Sequence, residues 1–457
     1  MKKSVMSLTI LFAFCNVPAA LSQTVSPTEA STPPASIARP ASTNGKVSSR
    51  LTRISSTSLQ PITDAYCRAN LGFPCYSPQE IYNAYGLTPF LKAGFNGTGQ
   101  TIVIIDAFGS PTITQDLQAF DAGFGLPDPP SFTVLTPLGT VPFDPNNQDQ
   151  VAWAGETTQD VELAHTMAPG ADIVLLTSPV DQTEGVQGLP ELLKLERYAL
   201  EHKLGQIISQ SWVATENTLF GAAGQKVIND FEDFYQQAAN DNITVFAGTG
   251  DGGTANLQRD LKFYSFPTVN FPASSPFVTA VGGTSLYADT SGNYQYEIGW
   301  GNPYSGASGG GVSQQFSEPS YQYSLPASVQ ATLNNHRGLP DVAFNGDVFT
   351  PEIVYLSFFG PQSAGFYAAG GGTSAGAPAW SGLIADINQL IGRPLGFLNP
   401  KLYAIGERAG SFHDITFGSN AQLFNGVSGY SAGPGWDFVT GWGTPDLNRF
   451  IWELARQ

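Results

Sequence analysis

Basic residues are scarce in this chain: 20 Lys and Arg stand against 37 Asp and Glu, a formal net charge of -17 over 457 residues. Such a surface repels nucleic acid and anionic lipid, whose recognition rests on Lys and Arg. Charge of either sign is sparse, at 12% of residues. An acidic, weakly charged chain suits acid solution, where protonated carboxyls bring the net charge nearer zero. No apolar run is long enough to span a bilayer. The apolar stretch at the front, residues 8–17, follows Lys2 and Lys3 and precedes small residues around Ala20 and Ser22. That order reads as a secretory signal over residues 1–22, so the expectation is a soluble protein exported to the extracellular space or periplasm. No Cys follows the cleavage region, which speaks against a lipid anchor there.

Cysteine is equally scarce. Of three, Cys15 lies in the signal segment, leaving Cys67 and Cys75. In an exported chain two close Cys suggest one small disulfide loop. Two thiolates with no adjacent His do not suggest a metal site. Histidine occurs four times, at His165, His202, His336 and His413. Only His165 falls in a promising helical stretch, nine residues after Glu156. At about 100° per residue it sits on the opposite helix face from Glu156, and it reads as a packed or surface side chain.

What the chain has in quantity is glycine, 50 residues. The run Gly370-Gly371-Gly372-Thr373-Ser374-Ala375-Gly376-Ala377-Pro378 follows an apolar segment, residues 365–369. It leads into a helical pattern of Trp380, Leu383, Ile384, Ile387, Leu390 and Ile391. Ser374 therefore stands where an extended segment turns into a buried helix. Glycines permit the sharp bend, and a helix N-terminus favours a hydroxyl that must become an alkoxide-like nucleophile. The stretch reads equally well as a glycine-rich turn with an N-capping serine.

Residues 23–60 are rich in Ser, Thr, Pro and Ala and read as a disordered linker or short pro-segment. Folded structure is expected from about Asp64. Strands are expected over 101–106, 171–177, 206–212, 243–247 and 277–281, and helices over 156–167, 191–203 and around Val227, Phe231, Phe234 and Ala238. This alternation implies a doubly wound α/β fold, a mostly parallel central sheet with helices on both faces. In such sheets working groups collect at the carboxyl ends of strands. Asp106, Ser211-Trp212, Asp251 and Ser374 all follow an apolar run of this kind.

Glu156 and Asp160 are four apart and share a helix face. The usual meaning is a solvated acidic face. This helix also carries Val161, Leu163 and Ala164 and runs into Ala168-Pro169, so it is expected to be packed. Inward-facing acids would share protons and at least one pKa would rise, giving a base suited to acid conditions. Asp251 lies in Gly250-Asp251-Gly252-Gly253, which alone is an ordinary Asp-Gly turn.

Together these stretches resemble the sedolisins, serine-carboxyl peptidases with a subtilisin-like fold. The resemblance runs from about Tyr76 to the C-terminus. It is carried by the serine motif 372–378, the acid helix Glu156-Thr157-Thr158-Gln159-Asp160-Val161-Glu162 with Ala168-Pro169-Gly170-Ala171 behind it, and Gly250-Asp251-Gly252-Gly253. Val281-Gly282-Gly283-Thr284, Ser308-Gly309-Gly310-Gly311-Val312-Ser313 and Leu339-Pro340-Asp341-Val342-Ala343 add to it, and the order of all six is specific.

The resemblance implies a peptidase domain over 61–457 in which Ser374 is the nucleophile, Glu156 its base, Asp160 the support of Glu156, and Asp251 the group facing the oxyanion. Asp106 and Trp212 would extend the network around the acids, with Asp106 standing where a Glu is frequent. It further implies one Ca2+ in a C-terminal loop, held by the side chains of Asp414 and Asp437 and the carbonyls of Ile415, Gly433 and Gly435. Family members usually carry a large folded pro-domain, whereas about 40 residues separate signal and peptidase domain here. The expectation is a secreted monomeric endopeptidase acting on proteins or peptides at acid pH through an acyl-enzyme. Two alternatives compete with it. One is an ordinary subtilisin using Asp106, a His and Ser374; the other is a non-catalytic calcium-binding module.

Overall fold

The computed structural model describes residues 52–53 and 60–456, apart from 303, 409 and 422–425. The signal segment 1–22 and most of the 23–60 linker lie outside the described residues.

The centre is an eight-stranded sheet. Its strands are β1 (Thr101–Ala107), β2 (Phe132–Leu135), β3 (Asp172–Ser178), β4 (Ile207–Gln210), β5 (Thr244–Gly248), β6 (Thr279–Ala288), β7 (Tyr294–Gly299) and β8 (Val342–Asn345). They run in the order β7-β6-β5-β4-β1-β3-β2, with β8 also paired to β6. All pairs are parallel except β7 with β6. β1 is a β-branched run buried on both faces, as a central parallel strand must be. β6 is longer than its apolar core suggests because it serves three neighbours in succession.

Side-chain alternation along β1 divides the molecule into two layers. Ile102 and Ile104 pack with Ile173, Ile207 and Phe246 against Val161, Trp380 and Leu383. Val103 and Ile105 pack on the other face with Ile208 and Val245 against Leu192, Leu195, Phe231 and Phe234. The first layer holds the acid helix (Gln148–Met167) and the serine helix (Thr373–Ile391); the second holds Leu189–Glu201 and Ala222–Asn240. Asp106 continues the 102, 104 series and so faces the first layer.

The acid helix has no apolar stripe. From Val151 to Met167 nearly every side chain is buried, because the sheet, the serine helix, the helix Ile113–Phe124 and a hairpin strand all contact it. Asn147 caps it, its side chain accepting from the N–H groups of Asp149 and Gln150. It approaches the serine helix closely at Gly382. A Cβ there would lie 2.6 Å from Met167 Cβ and 2.8 Å from the Ala164 carbonyl oxygen.

The strand entering the serine helix departs from expectation. β9 (Ile353–Leu356) and β10 (Gly365–Ala368) form an antiparallel hairpin, and Thr52–Arg53 pairs with the outer edge of β10. This three-stranded sheet is separate from the central one. Three of the four expected polar positions therefore follow central strands, and Ser374 follows a satellite. Beneath the hairpin, Cys67 and Cys75 are joined in a disulfide and pack with Ile62, Phe120 and Phe366.

Candidate active site

β5, β4 and β1 are neighbours, so the groups after their carboxyl ends converge. The serine helix delivers its N-terminus to the same place. Gly372 precedes it with φ 73°, which glycine adopts without strain. Thr373 and Ser374 follow as the first two helical residues, both buried.

Thr373 fixes the turn after β5. Its hydroxyl accepts from the Gly250 N–H at 2.8 Å and donates to Asp251 Oδ1 at 3.1 Å. Its backbone N–H donates to the same Oδ1 at 2.8 Å. An acid proton on Asp251 thus belongs on Oδ2, the oxygen that does not face these two donors. Asp251 is thereby tied to the residue next to Ser374.

Pro378 removes the N–H that would bond the Ser374 carbonyl within the helix. Ser211, just beyond β4, donates its hydroxyl to that carbonyl at 3.4 Å. Ser211 also contacts Asp160 and draws its pKa down, against larger opposing effects.

The acids lie together. Asp106, Glu156 and Asp160 are all buried. Burial pushes Asp160 well above the usual carboxylate range, and the charges of Asp106 and Glu156 push it further. Burial also raises Asp106, with contacts from Thr157 and Asp160 pulling it partly back. Neighbouring buried carboxyls whose ionisation is opposed in this way are the setting in which a proton is shared. The Trp212 indole packs against Phe231, and its Nε1 makes no hydrogen bond among the described residues. Ser374 Oγ likewise makes no hydrogen bond among them. Catalytic hydrogen bonds commonly close only around substrate.

The histidines are engaged elsewhere. His165 Nε2 lies 3.1 Å from Asp121 Oδ1 and 2.9 Å from the Pro127 carbonyl. It is buried rather than exposed, on the side of the helix that meets Ile113–Phe124. His202 stacks on Tyr198 and His413 on Tyr294. His336 begins a strand paired with Gly311–Ser317.

In the C-terminal loop, Asp437 Oδ2 accepts from the Gly433 N–H at 2.9 Å. Both Asp414 oxygens accept from the Gly435 N–H at 3.1 Å. Four of the five residues expected to bind calcium therefore fall in two hydrogen-bonded pairs, and Ile415 adjoins Asp414. Burial raises both carboxyls, Asp437 to about 7. The buried Asp437 and the exposed Asp414, beside glycine carbonyls, are an oxygen donor set of the kind a hard cation takes.

Sequence reasoning missed Thr373, Ser211 as a bridge, and Gln159, whose side chain bonds Gly371. Thr373 and Gln159 lie inside motifs already singled out, but their partners are more than a hundred residues away.

Residues 139–404 match the Subtilase family. The chain is 36% identical over 383 residues to kumamolisin of Bacillus sp. (strain MN-32), covering 83% of this chain and 63% of that protein. It is 31% identical over 356 residues to sedolisin of Pseudomonas sp. (strain 101), covering 76% and 56%. It is 33% identical over 323 residues to tripeptidyl-peptidase 1 of Canis lupus familiaris, covering 66% and 52%. A solved structure of Pseudomonas sedolisin, a serine-carboxyl proteinase complexed with two molecules of pseudo-iodotyrostatin, superposes with a TM-score of 0.68 at 27% identity. It covers 84% of this chain and 99% of that one. The chain belongs to the sedolisin family of subtilases. The subtilisin-like fold of the sedolisins accounts for the mostly parallel sheet with its flanking helices. The chain spans between about half and two thirds of the length of these curated relatives.

Proposed function

We propose that this chain is a secreted serine-carboxyl endopeptidase that cleaves proteins and peptides in acid solution through an acyl-enzyme. The observation that carries the reading is the convergence of Asp106 on β1, Asp251 beyond β5, Glu156 and Asp160 on the acid helix and Ser374 at the start of the serine helix. Glu156 accepts the Ser374 Oγ proton as Oγ attacks the scissile carbonyl. Asp160 and Asp106 share a proton beside Glu156 and hold it in place. The oxyanion that develops receives a hydrogen bond from protonated Asp251, through Oδ2. Glu156 then gives its proton to the departing amine, leaving the acyl group on Oγ. A water, deprotonated by Glu156, releases the acid and restores Ser374.

Several features support the finer parts of this reading. The front of the sequence supports export, and the raised acids and the acidic composition support action in acid. For the C-terminal loop, one Ca2+ would be held by Asp414, Asp437 and the carbonyls of Ile415, Gly433 and Gly435. It would supply structural charge compensation. One relative is named tripeptidyl-peptidase 1, so the cleavage mode is measured directly. A digest of a denatured protein in acid, read by mass spectrometry, is expected to show internal cuts and not a ladder of tripeptides. Ser374→Ala and Glu156→Gln should each nearly abolish turnover, with the double variant little worse than either. Independent, multiplicative losses would refute the paired roles.

A further inference from the structure

The three glycines before Thr373 have no side chains by which to be held, so their backbone is held by others. The Gly370 N–H donates to the Glu352 carbonyl at 2.9 Å, and the Gly372 N–H to the Gly346 carbonyl at 2.7 Å. Gly371 is held by a side chain. Its N–H donates to Gln159 Oε1 at 2.9 Å, and its carbonyl accepts from Gln159 Nε2 at 3.0 Å. Gln159 is buried. It stands on the acid helix, three residues after Glu156 and one before Asp160.

Resting on the reading of Ser374 as nucleophile and Glu156 as base, we propose that Gln159 is a positioning residue, whose two-point amide bridge to Gly371 sets the separation of the acids from Ser374. The helix-to-helix contact near Gly382 is about two turns further along the serine helix and reaches the glycine turn only at that remove. The bridge acts on the turn itself. Displacement of a reacting group by about 1 Å can cost about a hundredfold in rate, so a contact that fixes this height belongs to the machinery although it touches no substrate.

The chemistry of the bridge is specific. A primary amide offers a donor and an acceptor side by side at every pH. A carboxylic acid offers the same pair only while protonated. Gln159→Glu is therefore a copy of the bridge that depends on its own proton. The titratable groups around it are all acids: Glu156 and Asp160 on its own helix, Asp106 at the end of β1, and Asp251 beyond Thr373. The hairpin adds Glu352, whose Oε2 would lie 3.0 Å from a Cβ on Gly370. Ionising a glutamate among them removes the donor to the Gly371 carbonyl and adds a like charge.

The test is kcat and KM on one peptide across the acid range, with thermal melting of each protein. The wild type, Gln159→Leu, Gln159→Glu and a Ser374→Ala blank are compared. Gln159→Leu should lose about 10- to 100-fold in kcat at every pH, with KM within about twofold. Gln159→Glu should approach wild type at the acid end and fall more steeply than wild type once the new carboxyl ionises. A folded Leu variant with wild-type kcat, or a Glu profile that superposes on wild type, overturns the proposal. Should the Leu variant fail to fold, the Glu variant decides, since its protonated form restores both bonds. Cleavage that persists in the Ser374→Ala blank would instead overturn the peptidase reading, and the proposal with it.

Discussion

At Asp251 one oxygen accepts from both donors of Thr373, and this division of labour sets how the site should respond to pH. A protonated carboxyl can donate to an oxyanion; an ionised one presents a like charge to it. Activity should therefore peak in acid and fall between about pH 4 and about pH 7. Asparagine keeps a neutral donor throughout that range. Asp251→Asn is expected to retain measurable activity and to lose a smaller fraction of its own peak rate over the interval. Asp251→Ala should lose on the order of a hundredfold or more. Rate profiles of the three proteins on one peptide decide the matter, and an alanine variant as active as wild type would remove Asp251 from the oxyanion. The residues themselves were legible because they sit in short glycine-bounded motifs. Their contacts were not, since Thr373 and Asp251 are 122 residues apart and nothing local in either motif names the other.

At the scale of elements, the two helices that carry the acids and the serine touch where Gly382 admits Met167 and Ala164. Gly382→Ala would place a methyl 2.6 Å from Met167 Cβ and must push the helices apart. Overpacking of this kind costs about 1–3 kcal/mol. The expected result is a lower melting temperature together with a kcat loss larger than the stability loss explains, because Ser374 and Glu156 ride on opposite sides of the gap. A variant that melts lower but keeps full kcat when folded would show that the helix spacing does not reach the site. Elements were legible where burial is uniform. β1, β3 and β5 are continuous apolar runs bounded by turn residues. β2 was not found, since it is a half-buried strand at the sheet edge with an exposed Val134. The acid helix was placed but begins eight residues earlier than its expected start, at Gln148. β10 was read as part of the central sheet because a four-residue apolar strand does not announce its partners.

The whole molecule stores many acids in its interior. Burial raises Glu184, Glu232 and Glu352 to about 7 and carries Glu162, Glu196 and Asp386 well above the carboxylate range. An unfolded glutamate titrates near about 4.3. Below that pH both states are protonated and the stability is fully present. As pH rises toward about 7 the folded state holds more protons than the unfolded one, so stability falls. Calorimetry with chelator present should show the melting temperature dropping from about pH 4 to about pH 7, and Glu352→Gln should shrink the drop. A melting temperature that climbs over this interval would contradict the assignment. The proposed ion enters separately. A cation bound only to the folded chain stabilises it by mass action. Chelation near neutrality should thus lower the wild-type melt and leave Asp437→Ala unmoved, whereas an unmoved wild type after full metal removal would dismiss the site.

The division of the sheet into two layers has a practical side. Every group assigned to the reaction lies in the layer of the acid and serine helices or at the strand ends that face it. The opposite layer is a plain scaffold, and Lys226 on Ala222–Asn240 projects from it with a side-chain exposure of 74%. With the other exposed lysines among the described residues, Lys92, Lys194, Lys203 and Lys262, replaced by arginine, amine coupling at Lys226 offers a handle for oriented attachment to a resin or an electrode. The protein would then hang by its inert back, with its working face turned to the flow.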